Sequence, residues 1–172
     1  MILDAALDKF AAGGYDGTSV GDIANDLEIS KSAITYYFPA KEDLIDGLAA
    51  PYLDAVDAVL DNHGDPSWPG GVRLLVADYF DVLLANRRLA VWIDTDRALS
   101  RYQPVARRRI EIRLRLTMAI TGGSTEAEDE ARALAAIGGL WRPLRILDDR
   151  VLADLADEII DAALVSYQPL AP

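Results

Sequence analysis

Apolar residues recur at intervals of three and four along the chain, which is the spacing of one face of an α-helix. These stripes occupy residues 2–10, 23–27, 44–60, 74–84, 89–99, 105–120, 126–147 and 151–167. No segment bounded by turn residues alternates apolar and polar positions, as a half-buried β-strand would. The pattern predicts an all-α fold of about nine helices.

Capping and breaking residues mark several helix boundaries. Ser19 is followed three residues later by an aspartate, as in a capping box, and Ser30 directly precedes a short helical pattern. Gly138 and Gly139 lie inside a helical pattern, where glycine costs stability but lets another backbone approach closely. Pro143 would clash with the carbonyl of Gly139, so we expect a kink there.

Composition limits the class of protein. The chain has 172 residues, of which 51% are hydrophobic and 26% charged, as in a globular domain with at most a small additional module. The absence of cysteine excludes disulfides, thiolate zinc sites and thiol nucleophiles. No run of about 18 uncharged apolar residues occurs, so we expect a cytoplasmic protein without membrane contact.

Charged residues are divided unevenly along the chain. The formal net charge is −11, and residues 1–47 hold three lysines against nine acidic residues. All the arginines lie after residue 47. This balance disfavours nonspecific attraction to nucleic acid or to an anionic membrane.

Two short helices joined by a tight turn are predicted near the N-terminus. The first covers residues 19–27, the turn residues 28–29, and the second helix residues 30–38. This arrangement is a helix-turn-helix, in which the second helix enters the DNA major groove with its N-terminal residues toward the base edges. Ile34 and Phe38 would point inward. The exposed face would carry Lys31, Ser32, Thr35 and Tyr36.

The same N-terminal region carries the motifs of a known family. In order they read Gly-Tyr-x-Gly-Thr-Ser, Ile-Ala-x-x-Leu, Ile-Ser-Lys-Ser and Tyr-Tyr-Phe-Pro-Ala-Lys-Glu-Asp-Leu. Over residues 2 to about 48 the chain resembles the TetR family of bacterial transcriptional regulators. The resemblance implies a DNA-binding domain at 1–47 and a helical regulatory domain, for ligand binding and dimerisation, at 48–172. It also implies a repressor that binds a palindromic double-stranded DNA operator as a homodimer and is released by a small molecule.

The resemblance assigns DNA contacts to single residues. Ser19, Tyr36 and Lys41 match positions that contact phosphates, and residues 31–33 match the positions that contact bases. Gly21 departs from the family, because a basic residue is common there. The candidate DNA-binding residues are Ser19, Lys31, Ser32, Ala33, Thr35, Tyr36, Tyr37 and Lys41.

The small number of cations in this region affects the expected strength of DNA binding. Only Lys31 and Lys41 would lie near phosphates, so a dimer would release few counterions. We expect a shallow salt dependence, with a slope of roughly −2 to −4 in the logarithm of affinity against that of salt. The alternative function is a helical ligand- or protein-binding module whose DNA-reading function is weak or lost.

The regulatory half contains large apolar side chains that could line a cavity between helices. Such a cavity would suit a small apolar or aromatic effector rather than a small ion. The candidates are Tyr52, Tyr79, Leu83, Trp92, Ile112, Leu116 and Trp141.

The last two predicted helices carry narrow apolar seams that are candidates for a self-interface. Pairing them across a two-fold axis would form a four-helix bundle. The alternative is that both seams pack only on their own chain. The candidate interface residues are Leu134, Gly138 and Trp141 on the first helix and Leu152, Leu155, Ile159 and Ala163 on the second.

The sequence gives little indication of a metal site, a catalytic site or an anion-binding site. His63 with its neighbouring aspartates is a poor metal-ligand set and is expected in a loop, and no cofactor or catalytic motif is predicted. Asp94 and Asp96 are expected to be solvated or paired with Arg97. A cluster of arginines is expected to be solvated or paired with acids such as Glu111; it comprises Arg107, Arg108, Arg109, Arg113 and Arg115.

Overall fold

The computed structural model describes residues 1–64, 70–165 and 167. Within these ranges the chain forms ten α-helices and no β-strand, which confirms the all-α prediction. The helices are α1 (Ile2–Gly13), α2 (Val20–Asp26), α3 (Lys31–Tyr37), α4 (Lys41–His63), α5 (Gly70–Ala85), α6 (Arg87–Thr95), α7 (Gln103–Thr121), α8 (Ala127–Ile146), α9 (Asp149–Asp154) and α10 (Ala156–Val165).

The tenth helix arises because the last predicted helix is divided in two. Helix α9 is capped by the side chain of Asp148, which accepts a hydrogen bond from the Val151 N–H at 2.9 Å. It ends at Leu155, whose φ of −114° and ψ of 18° lie outside the helical range. The interruption falls at Leu155, which is 42% exposed, whereas Leu152 within α9 is fully buried. The predicted single helix over 151–167 is therefore corrected to two.

The chain divides into two compact units that do not follow the sequence order. The first unit comprises Met1–Asp54 and Arg88–Arg109, and the second comprises Ala55–Arg87 and the residues from Ile110 onward. Residues 88–109, which include most of α6 and the start of α7, thus belong with the N-terminal helices. The division into domains 1–47 and 48–172 stays a prediction.

The first unit has a core of residues drawn from each of its N-terminal helices. Phe10, Ile23, Ile34 and Leu44 are all fully buried. Ile34 occupies the inward position predicted for the second short helix, and Phe38 is half-buried. Gly47 permits close packing there, because an added Cβ would lie 3.1 Å from a Leu3 methyl and 3.2 Å from the Phe38 ring.

The second unit is built around the packing of α10 against α8 and α5. Gly139 makes this packing close, since an added Cβ would lie 3.2 Å from the Cβ of Ala163 and 3.3 Å from its Cα. The close approach predicted for the glycine pair therefore belongs to Gly139, whereas Gly138 is exposed and has open space beside it. Helix α8 continues through Pro143 to its end at Ile146.

The end of α8 is closed by a side chain from α6. The Arg87 guanidinium donates to the carbonyl oxygens of Leu144, at 2.8 Å, and of Leu147. These carbonyls have no intrahelical donor, so the arginine satisfies hydrogen bonds that the helix end leaves open. Among the helices of the described residues, none is long and apolar enough to cross a lipid bilayer.

Candidate functional site

The turn between α2 and α3 is closed by a Schellman motif with a glutamate at its left-handed position. Glu28 has a φ of 54°, and its N–H donates to the Asn25 carbonyl at 3.2 Å. The next N–H, of Ile29, donates to the Ala24 carbonyl at 3.0 Å. These two bonds satisfy the C-terminal carbonyls of α2. They fix the direction in which the chain enters α3, as the predicted turn at 28–29 requires.

The N-termini of both short helices carry side-chain caps. The Ser19 hydroxyl accepts from the Asp22 N–H at 3.1 Å, and the Asp22 carboxylate accepts from the Ser19 N–H at 2.7 Å. The Ser19 hydroxyl also donates to the Asp22 carboxylate at 2.7 Å, and this bond, together with the one from the Ser19 N–H, lowers the pKa of Asp22. Ser30 accepts from the Ala33 N–H at 3.2 Å. The capping box at Ser19 and the cap at Ser30 are confirmed.

Helix α3 presents its predicted contact face outward. Residues 31–33 are exposed, Ile34 is buried, and Thr35 is half-buried with its hydroxyl on the Ser32 carbonyl. Tyr36 and Tyr37 are 79% and 69% exposed. Their rings meet edge to face with centroids 5.0 Å apart. The helix therefore offers hydroxyls, one lysine and two aromatic rings to a partner, while the DNA contacts themselves stay predictions.

Lys41 is held beside the turn between α1 and α2. Its ammonium donates to the Tyr15 carbonyl and lies 3.8 Å from the centroid of the Tyr15 ring. Burial raises the pKa of Tyr15, and the neighbouring charge of Glu42 adds to the effect. A lysine ammonium has three donors, so one bond to Tyr15 leaves others for a phosphate.

A carboxylate on the segment after α6 organises this same turn, and sequence reasoning missed it. Asp96 accepts from the Tyr15 N–H at 2.8 Å, from the Trp92 indole N–H at 3.0 Å and from the Ala98 N–H at 2.9 Å. The expectation that Asp96 is solvated or paired with Arg97 is wrong. Trp92 and Ala98 are close to Asp96 in sequence, but Tyr15 is 81 residues away, so local spacing could not reveal the bond that joins Asp96 to the turn.

Two further contacts join the segment between α6 and α7 to the N-terminal helices. The Tyr102 hydroxyl lies 2.9 Å from both carboxylate oxygens of Asp46 on α4. Burial and this hydrogen bond raise the pKa of Tyr102 to about 12. The Arg101 guanidinium lies 3.1 Å from the Asp16 carboxylate in the turn between α1 and α2.

The arginine cluster is paired mainly with acids on other helices. In the first unit, Arg108 lies 2.8 Å from Asp54 on α4, and Arg109 lies 2.9 Å from Asp94 on α6. In the second unit, Arg115 is paired with two aspartates of α4. The predicted pairing with acids is confirmed for these three arginines, and Asp94 pairs with Arg109. Arg107 and Arg113 are exposed.

The candidate effector residues are mostly buried and divide between the two units. Tyr52 and Trp92 belong to the first unit, where the Trp92 ring stacks on Phe10. The other five belong to the second unit, where only Trp141 is half-exposed. A cleft of about 610 Å³ in the second unit has a different lining: Leu60, Asp61, Gly64, Leu114, Arg115, Met118, Ala119, Gly122 and Gly123. Effector binding by the candidate set stays a prediction.

The candidate self-interface residues also differ in their surroundings. Leu152 and Ala163 are buried within their own chain, as the alternative interpretation of the seams requires for these two. Gly138 and Leu155 are exposed. The remaining three, Leu134, Trp141 and Ile159, are partly exposed. Five of the seven thus remain accessible to a second copy.

His63 lies in the last turn of α4, not in a loop as expected. Its Nε2 is 2.7 Å from the Asp78 carboxylate. In the part of the chain that the structure describes, no group of three or more histidine or carboxylate side chains could hold a metal ion.

A model of bacterial regulatory proteins of the tetR family matches residues 2–48. YuxN of Bacillus subtilis, an HTH-type transcriptional regulator, is 44% identical over 54 residues, which are 31% of this chain but only 19% of that protein. BetI of Burkholderia lata, also an HTH-type transcriptional regulator, is 28% identical over 183 residues, covering 96% of this chain and 93% of BetI.

A solved structure extends the likeness in fold to the whole chain. SCO3833 of Streptomyces coelicolor, a member of the TetR transcriptional regulator family, superposes with a TM-score of 0.77. The sequences are 19% identical, and the match covers 100% of this chain and 92% of the other. At 19% identity the superposition supports a shared fold only.

Proposed function

We propose that the chain is a repressor of the TetR family, whose members are DNA-binding regulators and not enzymes, because the family's model matches residues 2–48 and BetI is similar over 96% of the chain. It binds a palindromic operator as a homodimer and leaves the DNA when a small molecule binds. The candidate contact residues 31–33, 35 and 37 read the operator from α3, and Ser19, Tyr36 and Lys41 bind phosphates. A regulator that binds operator DNA in this way acts in the cytoplasm.

The observation that carries the proposal is the outward face of α3. Lys31, Ser32 and Ala33 are exposed at the start of the helix, while Ile34 anchors it to the core. The Ser30 cap and the Schellman turn fix the helix at the end that a helix-turn-helix directs toward base edges. A recognition helix needs such a rigid mount, because base contacts depend on orientation.

A dimer follows from the reading length of one short helix. Two copies related by a two-fold axis place their recognition helices about 34–36 Å apart, one turn of DNA. The two copies pair through the accessible residues Leu134, Gly138 and Trp141 of α8 and through Leu155 and Ile159. In this proposal the main DNA contacts come from residues 1–47, and residues 48–172 bind the effector and dimerise.

Release from the operator depends on how much more tightly the effector binds one conformation of the dimer than the other. An effector lowers operator affinity only as far as it prefers the spacing of recognition helices that does not fit DNA. A small apolar or aromatic molecule suits the buried aliphatic and aromatic side chains of the second unit, which include Tyr79, Leu83 and Leu116. The cleft of about 610 Å³ is of the size that small-molecule sites have.

The second candidate function is a helical binding module whose DNA reading is weak or lost. The excess of acids over lysines in residues 1–47 favours it, since these acids repel the phosphate backbone.

An electrophoretic shift with DNA from upstream of the chain's own gene separates the two functions. The repressor gives a discrete shifted band, and replacing Lys31 and Ser32 together by alanine lowers affinity by roughly tenfold or more, because each base contact carries about 1–3 kcal/mol. The matched control is Arg150→Ala, on a side chain of α9 that is 92% exposed. No shift at low salt, with the protein folded, would establish the second function.

A further inference from the structure

The segment between α6 and α7 is fixed firmly to the DNA-binding helices within the first unit. The Asp96 carboxylate accepts a hydrogen bond from the Tyr15 N–H, and the Tyr102 hydroxyl donates one to Asp46 on α4. Asp96 also receives the Trp92 indole N–H at 3.0 Å, which holds the carboxylate in place. The segment therefore has a defined position beside the turn that leads into α2.

Arg101 lies at the exposed edge of this segment. Its guanidinium is 3.1 Å from the Asp16 carboxylate, and the two side chains are 73% and 72% exposed. Asp16 precedes Ser19 by three residues, and Ser19 is a proposed phosphate contact. Arg97, four residues before Arg101, is also exposed and makes no ion pair with any residue in the described ranges. The guanidinium of Arg101 is thus held close to the path that the proposed function gives to the DNA backbone.

The distribution of charge in the first unit supports DNA contact by this segment. Residues 88–109 hold six arginines and two aspartates, whereas residues 1–47 hold three lysines and nine acids. The first unit therefore carries most of its positive charge outside the helix-turn-helix.

We propose that the segment between α6 and α7 extends the DNA-binding surface, with Arg101 and Arg97 binding phosphates of the backbone next to the one at Ser19. This inference rests on the proposed DNA-binding function. Arginine suits the role, because its guanidinium donates two parallel hydrogen bonds to phosphate oxygens. Asp16 holds the Arg101 side chain in the absence of DNA and gives it up to a phosphate.

A different role for Arg101 would be to neutralise Asp16 without touching DNA. The two roles differ in a double variant. If Arg101 only neutralises Asp16, then Arg101→Gln has no effect once Asp16→Asn has removed the acid. If Arg101 binds a phosphate, the loss persists in the Asp16→Asn background, and Asp16→Asn alone strengthens binding.

The test measures affinity against salt concentration by fluorescence anisotropy, with a duplex of about 30 base pairs selected by the wild-type protein from a random pool. Each phosphate contact contributes about 0.9 to the slope, so Arg101 and Arg97 add to the slope of roughly −2 to −4 expected from the lysines alone, and Arg101→Gln in a dimer should lower its magnitude by about 1.8. Between 50 and 200 mM salt the wild type should then lose roughly tenfold more affinity than the variant. Arg97→Gln should behave alike, and Arg150→Gln should leave the slope unchanged.

Three outcomes decide the matter. A slope that falls in both the single and the Asp16→Asn/Arg101→Gln variants supports the phosphate contact. An unchanged slope in Arg101→Gln, or a slope that falls in Arg101→Gln but not when it is added to Asp16→Asn, overturns the inference and leaves the proposed function intact, provided that the melting curves match the wild type and the wild type binds DNA. A folded wild type that binds no duplex at all removes the proposed function and this inference with it.

Discussion

The indole ring of Trp92 stacks on the phenyl ring of Phe10, with centroids 5.2 Å apart and ring planes inclined by 13°. Both residues lie in the first unit, on α6 and α1, and both are nearly or fully buried. A side chain that sequence reasoning assigned to an effector cavity thus packs against the helix that supports the DNA-binding elements.

Two substitutions at Trp92 separate the stacking from the hydrogen bond. Trp92→Phe keeps an aromatic ring on Phe10 but loses the donor to Asp96, and should cost about 1–3 kcal/mol because the carboxylate is left short of a partner. Trp92→Ala should cost about 3–5 kcal/mol, since it also opens a cavity. Urea unfolding measures both. Equal losses in the two variants would contradict this division.

Glu28→Gly should stabilise the protein. Glu28 is in the left-handed region, where a side chain costs roughly 1–2 kcal/mol that glycine avoids. We expect a gain of about 1 kcal/mol in the free energy of unfolding, reduced by the greater freedom of glycine in the unfolded chain. Glu28→Gln is the control, because it removes the charge and keeps the strained backbone. If the glutamine variant gains as much, charge and not backbone strain is the cause.

The adjacent glycines of α8 should respond differently to alanine. Gly139→Ala should destabilise the folded chain, because the new methyl would press on Ala163. Gly138→Ala should stabilise the isolated helix by up to about 1 kcal/mol, yet weaken the dimer if that surface pairs closely. Sedimentation velocity across a concentration series and thermal melts separate these effects. A dimer unaffected by Gly138→Ala would move the proposed interface away from this position.

The Tyr102–Asp46 contact should make stability depend on alkaline pH. The folded state raises the pKa of Tyr102 from its ordinary 10 to about 12, so its contribution is complete below pH 10. It is lost as the pH rises from 10 to 12, because the ionised oxygen faces a carboxylate. The free energy of unfolding should therefore fall less in Tyr102→Phe than in the wild type over that window. Tyr36→Phe, on an exposed ring, is the control and should follow the wild type.

The sequence was sufficient where the signal is local. The Ser19 and Ser30 caps, the turn at 28–29 and the buried position of Ile34 depend on spacings of two to four residues, which periodicity and capping rules read directly. The outward face of α3 follows from the same spacings.

The features that the sequence did not reveal depend on distant partners or on absent signals. Asp96 is 81 residues from Tyr15, and no local pattern marks an acceptor that three N–H groups share. The interruption at Leu155 occurs without glycine or proline nearby, so apolar spacing alone continues the helix. The arginines of α7 find aspartates on α4 and α6, which spacing along α7 alone could not identify.

The grouping of residues 88–109 with the N-terminal helices bears on how the DNA-binding part could be produced alone. A fragment ending at residue 47 would leave Phe10 without its indole cover and the Tyr15 N–H without its acceptor. Such a peptide would expose a large aromatic surface to water and would lose the Asp96 carboxylate that holds the turn between α1 and α2. A gene fragment for a stable miniature version must therefore encode two separate stretches, joined by an artificial linker.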